Sequence, residues 1–315
     1  MSSILSSVDQ RTNLVGENRL ELLIFKLGGS QRFAINVFKV QEVLKIPALR
    51  QVPHSHPHVC GVAHLRGKTV PVIDLGLAIG MGPTQSLDDG NLIVAEYNRS
   101  IQAFAIGSVD RIVNLNWEDI LPPPKGAGRE HYLTAITRQD NEIVEILDVE
   151  RVLADIIPYN TRVSEQVLNV DIAARARQLG LKALVAEDSA TAMHQVRETL
   201  SDLGIEIVAM QDGLKAFNNL RDLIASGKRA CDEYLLLITD AEMPEMDGYR
   251  LTAEIRQNAD LKDLFVVMHT SLSGSFNSAL VEKVGCNAFL SKFAPDELAG
   301  VVQKRLQEYL DTLPE

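Results

Sequence analysis

"LLLITDAEMPEMDGY", from Leu235 to Tyr249, decides how the second half of this chain folds. An apolar run stops at Thr239 and Asp240, and Glu242, Glu245 and Asp247 follow among two methionines, Pro244 and Gly248. A short apolar run bounded by turn residues reads as a buried strand, so its terminal carboxylate projects from the end of a sheet. On either side the hydrophobic period switches between strand and helix. "KALVAED" reads as a strand, and "SATAMHQVRETLSDLG" as an amphipathic helix opened by Ser189 as N-cap and closed by Gly204. "IEIVAM", "LFVVMHT" and "NAFL" are further strands. "LKAFNNLRDLIASG", "YRLTAEIRQ", "SFNSALVEKVG" and "PDELAGVVQKRLQEYL" are helices. Strands alternating with helices predict an α/β, doubly wound, five-stranded parallel sheet.

Ligands of such sheets sit beyond the carboxyl ends of the strands. Here those ends carry Glu187 and Asp188, then Asp240, then Thr270 and Ser271, and Lys292 follows the last strand. All are expected on one rim. Clustered carboxylates raise one another's pKa unless a cation is present. Hard oxygen ligands suit Mg²⁺, and the lysine and hydroxyls suit phosphate oxygens. Asp240 is then a nucleophile that accepts a phosphoryl group, with the backbone carbonyl of Glu242 facing the cation. The plainer reading makes Asp240, Glu242 and Asp247 loop and cap residues; matching groups at successive strand ends favour the site.

At 315 residues the chain predicts two domains, and 46% hydrophobic against 23% charged residues lets each bury a core. Nothing approaches the ~20 apolar residues of a membrane span. The N-terminus does not read as a signal peptide, and three widely spaced cysteines give neither a disulfide framework nor a zinc site, which fits a cytoplasmic protein. The net charge of −11 is uneven: residues 181–315 hold 22 acidic against 13 basic residues. That imbalance argues against nucleic acid as a partner.

Residues 20–155 read as β. "LELLIFKL" and "RFAINVFKV" flank "GGSQ", "KTVPVIDL" follows "LRG", "NLIVAEY" and "QAFAIGSV" flank "NRS", and "YLTAITRQDNEIVEIL" forms two strands around "QDN". Many short strands predict a barrel or sandwich, with "KVQEVLK" as a short helix among them and Trp117 plugging a barrel end. Residues 159–181 read as a linker helix between domains, or a helix and a loop, ending on Gly180. Gly67 makes a tight turn with Arg66 at its shoulder. That guanidinium either anchors a partner's carboxylate or carbonyls, with apolar contact from Val37 and Val62, or braces the barrel internally. His54, His56, His58 and His64 read as a solvated loop.

Two family resemblances cover nearly the whole chain. "FAINVFKVQEV" and "GVAHLRGKTVPVIDLGLAIGM" resemble the chemotaxis coupling domain, the CheW family, over roughly residues 17–155. The resemblance implies an N-terminal all-β double small barrel over 17–158, behind a flexible 1–16, joining chemoreceptor tips to the histidine kinase CheA. "LVAEDSATAMHQV", "LLLITDAEMPEMDGY", "VVMHTSLSG" and "AFLSKF" resemble the response-regulator receiver domain, a flavodoxin-like fold, over 182–312. This implies Mg²⁺ on Glu187 and Asp188, Asp240 as phosphoacceptor, Thr270 as switch hydroxyl, Lys292 as the phosphate-binding lysine and Phe289 as switch aromatic. Two positions depart from the pattern. Phe293 stands where proline usually follows the lysine, and Glu242 lies two residues after the phosphoacceptor. Together the resemblances imply a non-enzymatic adaptor between methyl-accepting chemoreceptors and CheA, with CheW as a further candidate partner. Phosphorylation by the kinase would modulate coupling; alternatively the receiver is a phosphate sink.

Overall fold

The computed structural model describes residues 19–84, 89–97, 100–116, 119–121, 132–157, 162–270 and 283–313. Trp117, Ser271 and most of "SFNSALVEKVG" lie outside the described residues. The chain divides into two compact units, Arg19–Pro158 and the residues from Tyr159 onward.

The first unit holds two five-stranded sheets. One runs β8 (Ser108–Asn116), β1 (Arg19–Lys26), β2 (Arg32–Asn36), β10 (Glu142–Leu147), β9 (Leu133–Gln139). The other runs β3 (Val40–Lys45), β6 (Asn91–Tyr97), β7 (Ser100–Ile106), β5 (Lys68–Asp74), β4 (Val59–Leu65). A flat five-stranded sheet would hold its edges about 19 Å apart, four strand spacings. Both sheets instead close on themselves. Arg50, beyond β3, exchanges backbone hydrogen bonds with Val62 of β4 at 3.0 and 2.8 Å. Leu121, beyond β8, does the same with Ile136 of β9, both at 2.8 Å. These are the two small barrels.

Each barrel has its own apolar interior: Leu20, Leu22, Ile24 and Val144 in one, Val70, Val72, Leu92 and Val94 in the other. The alternate residues Leu23, Phe25, Ile73, Ile93 and Phe104 build a core shared between them. Strands buried on both faces lose strict alternation, which is why "LELLIFKL" reads as an almost continuous apolar run. Two left-handed turns stand where the sequence placed them, Arg66–Gly67 (φ 48, 79) and Asp140–Asn141 (φ 54, 64).

Two expectations for this half are corrected. "KVQEVLK" is strand β3, after one 3₁₀ turn at Val37–Lys39. Val40, Val43 and Leu44 have helical spacing, but pairing with β6 and the in–out pattern of an edge strand prevail. Residues 149–156 form a helix rather than β. Asp148 caps it by accepting the Arg151 N–H, and Val149, Val152, Leu153 and Ile156 enter the shared core.

In the second unit β11 (Lys182–Ala186), β12 (Glu206–Met210), β13 (Leu236–Thr239), β14 (Val266–Thr270) and β15 (Ala288–Ser291) pair in parallel, in the order β12-β11-β13-β14-β15. This 2-1-3-4-5 order is flavodoxin-like, and its switch point lies between β11 and β13. The helices, with those of the first unit counted as α1 (Leu75–Ala78) and α2 (Val149–Ile156), are α3 (Val170–Leu179), α4 (Ala190–Asp202), α5 (Gly213–Ala225), α6 (Ala230–Glu233), α7 (Gly248–Gln257) and α8 (Pro295–Leu310). Successive strand residues feed opposite faces. Ala183, Val185 and Ile238 pack with α3, α4 and α8, and Leu184, Ala186 and Leu237 with α5 and α7.

The segment expected to link two domains is folded onto this unit. Ala176 of α3 is fully buried, and the Ala173 carbonyl lies so close to Gly204 that a Cβ there would sit 2.2 Å from it. The sequence already contained that contact's requirement, read only as a helix terminator.

Candidate functional site

Beyond the switch point, β11 and β13 bring three acids together. One carboxylate oxygen each of Glu187, Asp188 and Asp240 lies within 4.8 Å of the others. Glu187 and Asp240 are buried, at 3% and 5% exposure, and Asp188 is exposed. Lys292, 2% exposed, spans the two buried acids: its Nζ donates to Glu187 Oε1 and to Asp240 Oδ2, both at 2.9 Å. A lysine is buried this deeply only with anionic partners. Its backbone N–H is held by the Thr270 carbonyl at 3.0 Å, an extension of the β14–β15 ladder.

Asp240 is positioned from several sides. Its backbone N–H donates to the Ala186 carbonyl at 2.9 Å, and its Oδ1 accepts the Ala241 N–H at 2.7 Å. The Thr239 hydroxyl donates to its carbonyl at 3.0 Å. A Cβ on Gly248 would stand 2.0 Å from that same carbonyl, so the loop closes over Asp240 only because residue 248 has no side chain. Gly213 does likewise for the Met246 carbonyl, 2.3 Å from where its Cβ would be. The sequence hinted at Gly248 through the D-G pair before a helix. It held no signal for Gly213 or Thr239, whose roles come from packing.

The electrostatics favour a cation. Three carboxylates against one ammonium leave two formal negative charges in a largely buried pocket. Burial pushes the Glu187 carboxyl well above the ordinary glutamate range; Lys292 opposes this, and Asp240 and Asp188 add to it. All three potential ligands are hard oxygens, and a divalent ion would cancel the surplus charge, so the residues fit Mg²⁺.

The other expected site residues are placed as follows. Thr270 ends β14, 1% exposed. Phe289 is half-buried in β15, packed with Ala241, Tyr249 and Met268. Glu242 is half-buried in the loop after Asp240. Asp247 is a cap, accepting the Arg250 N–H at 2.7 Å. The Lys292–Phe293 peptide is trans, and Phe293 takes a left-handed backbone at φ 59, a cost of about 1–3 kcal/mol at the turn into α8.

In the first unit Arg66 pairs with Glu42 Oε2 at 2.7 Å, yet its side chain is 80% exposed. It braces the barrel seam and faces solvent at once. Gly67 has open space around its Cα. Val62 is half-buried on β4, whereas Val37 packs against the core between the barrels. The buried Asp74, which the sequence reading passed over, fixes the loop after β5 by accepting from the Leu77 N–H at 3.2 Å and the Thr84 hydroxyl at 2.6 Å. His56 and His58 stack edge to face at 4.7 Å in an open loop.

Comparison with known proteins agrees with both halves. Residues 21–156 match the CheW-like domain family, and residues 183–303 match the response regulator receiver domain family. Over 92% of this chain and 96% of its own length, the chemotaxis protein CheV3 of Helicobacter pylori is 28% identical. CheV1 of the same organism is 26% identical over 98% of this chain and 99% of its own. Its chemotaxis protein CheW is 30% identical over 40% of this chain and 76% of its own. The chain belongs to the CheW-like family of chemotaxis proteins in its CheV form, an adaptor that carries a response-regulator receiver domain behind the coupling domain.

Proposed function

We propose that this adaptor couples chemoreceptors to the histidine kinase CheA in the cytoplasm, and that kinase-derived phosphate on Asp240 modulates the coupling. The observation that carries this reading is the double grip of Lys292 on Asp240 and Glu187 beside the exposed Asp188. Glu187, Asp188, Asp240 and the Glu242 carbonyl would hold Mg²⁺, which supplies charge neutralisation for an incoming phosphoryl group. A carboxylate oxygen of Asp240 attacks the phosphorus of the kinase's phosphohistidine. The P–N bond breaks, its electron pair stays on the imidazole nitrogen, and that nitrogen takes a proton from solvent. Lys292 stabilises the charge that spreads over the phosphoryl oxygens.

Thr270, which ends β14, and Ser271, the next residue in the sequence, would provide hydroxyls for the bound phosphoryl group, and Phe289 follows the inward movement of Thr270. In the first unit Arg66, Gly67, Val62 and Val37 form the partner-binding set, with receptor tips, CheA and CheW as candidate partners. No helix among the described residues is long and apolar enough to cross a membrane; the proposed attachment to the membrane is through the receptors. The chemistry is confined to accepting and slowly losing phosphate, without turnover of a separate substrate.

The test is incubation with labelled phospho-CheA and Mg²⁺. Label moves to the wild-type chain and not to Asp240→Asn. Equal labelling of the two would place the phosphoacceptor elsewhere.

A further inference from the structure

We propose that residues 163–169 are a latch on the second unit that reports the state of the Asp240 pocket through α8; this rests on reading Asp240 as the phosphoacceptor. The stretch contains a turn and no strand or helix, yet side chains of the receiver grip its backbone. The Ser164 N–H donates to Asp296 Oδ1 at 2.8 Å. The Asn169 N–H donates to Gln303 Oε1 at 2.7 Å, and Gln303 Nε2 donates back to the Val167 carbonyl at 3.0 Å. Val163, whose N–H donates to Asp202 Oδ2 at 3.3 Å, inserts its side chain into the adjoining core.

Asp296 and Gln303 lie seven positions apart on α8, so they share one face of the helix. A rigid shift of α8 changes both grips together. Gln303 uses its amide as acceptor and donor at once, which fixes the register of the stretch. Only Val163 in it is well buried; Val167 and Leu168 are half-buried. The stretch is held by these hydrogen bonds together with Val163, Val167 and Leu168, which pack on the adjoining core, whereas α3 is anchored by fully buried Ala176 and by the Gly204 contact.

The input end is equally direct. Pro295 opens α8, with only Phe293 and Ala294 between it and Lys292. Phosphorylation of Asp240 turns a carboxylate oxygen into the bridging oxygen of an acyl phosphate, whose phosphoryl oxygens lie farther from β13. Lys292 must re-aim its ammonium, and at 2% exposure its side chain has little slack. The adjustment passes through the left-handed Phe293 into the first turn of α8, where Asp296 holds Ser164. The latched residues continue directly into the chain that leads back to the coupling domain, so their release alters its tether.

Amide hydrogen exchange on the full chain in Mg²⁺, with and without beryllofluoride as a phosphoryl mimic, tests this. The Ser164 and Asn169 amides should exchange about tenfold faster with the mimic, while the Ala241 amide, bonded to Asp240 Oδ1, slows. Gln303→Ala should speed Asn169 exchange in both conditions and leave the Ala241 response intact, since Gln303 is remote from the pocket. If Ala241 responds while residues 163–169 do not, the latch is overturned and the reading of Asp240 stands. If Ala241 is also unmoved, the reading of Asp240 falls and takes the latch with it. Unchanged Asn169 exchange in Gln303→Ala likewise overturns the latch.

Discussion

Glu187 shows how far one buried carboxyl can set the behaviour of the pocket. Burial raises its pKa, so the folded chain holds its proton more tightly than the unfolded chain does. The contribution of Glu187 to the stability of the metal-free unit is therefore fully present below the ordinary glutamate pKa and is lost as pH rises through the raised value. A cation competes with that same proton. Mg²⁺ affinity should consequently climb as pH rises above the ordinary glutamate range, by at most ~10-fold per pH unit for one released proton. Calorimetric Mg²⁺ titration across this range measures the slope, and Glu187→Gln should flatten it; a flat wild-type profile would remove Glu187 from the ligand set. Cys60 provides a second residue-scale expectation. Burial, then Asp74, pushes its thiol to about 11, and its Sγ donates to the Val72 carbonyl at 3.3 Å. At pH 8 only ~0.1% is thiolate, against about a quarter of an ordinary cysteine, so alkylation should run about 10²-fold slower than for a free thiol. Labelling at the free-thiol rate would show that the barrel opens around β4.

Among the elements, the strands of the second unit were legible because each is a short apolar run closed by turn chemistry, and their carboxyl ends alone sufficed to assemble Glu187, Asp188, Asp240 and Lys292. The elements misread all turn on tertiary context. β3 carries apolar residues at helical spacing and becomes a strand because β6 offers it a partner. α2 was missed although Asp148 and the spacing of Val149, Val152, Leu153 and Ile156 announce it, because the surrounding β signal masked a period of 3.6. α3 was legible as a helix ending at Gly180 but its docking was not, because small residues such as Ala173 and Ala176 give little hydrophobic signal, while their smallness is what permits close docking. Glycines carry the same lesson and a prediction. Gly248→Ala places a Cβ 2.0 Å from the Asp240 carbonyl, which must move. A displacement near 1 Å at a reacting group costs about 10²-fold in rate. Label uptake from phospho-CheA should fall by that order, with circular dichroism unchanged. Gly300→Ala is the contrast: nothing lies within 4 Å of its Cβ in α8, so it should stabilise the unit by about 0.5–1 kcal/mol. Equal behaviour of the two variants would dismiss the close-packing account of Gly248.

At the scale of the whole molecule, two units with separate cores carry chemically separate surfaces: an acidic pocket in one and an exposed guanidinium at a barrel seam in the other. Separate cores predict separable losses. Arg66→Glu reverses a charge that is 80% exposed and breaks only a seam ion pair worth about 0–1 kcal/mol, so the barrel should survive while partner recognition fails. In receptor arrays reconstituted with CheA and no other receiver, Arg66→Glu should lower receptor control of the kinase yet leave label transfer to Asp240 intact. Asp240→Ala should do the reverse at the site, abolishing label, and under the proposed modulation of coupling should also change receptor control. The second consequence separates a modulator from a sink. A sink drains phosphate wherever the coupling domain is, so its loss would lower phosphate turnover and leave receptor control unaltered. That second outcome would retire modulation and keep the phosphoacceptor. Under the proposed latch, the hydrogen bonds of Asp296 and Gln303 to Ser164 and Asn169 would give phosphate on Asp240 a route toward the coupling domain, a route that modulation requires and a sink does not.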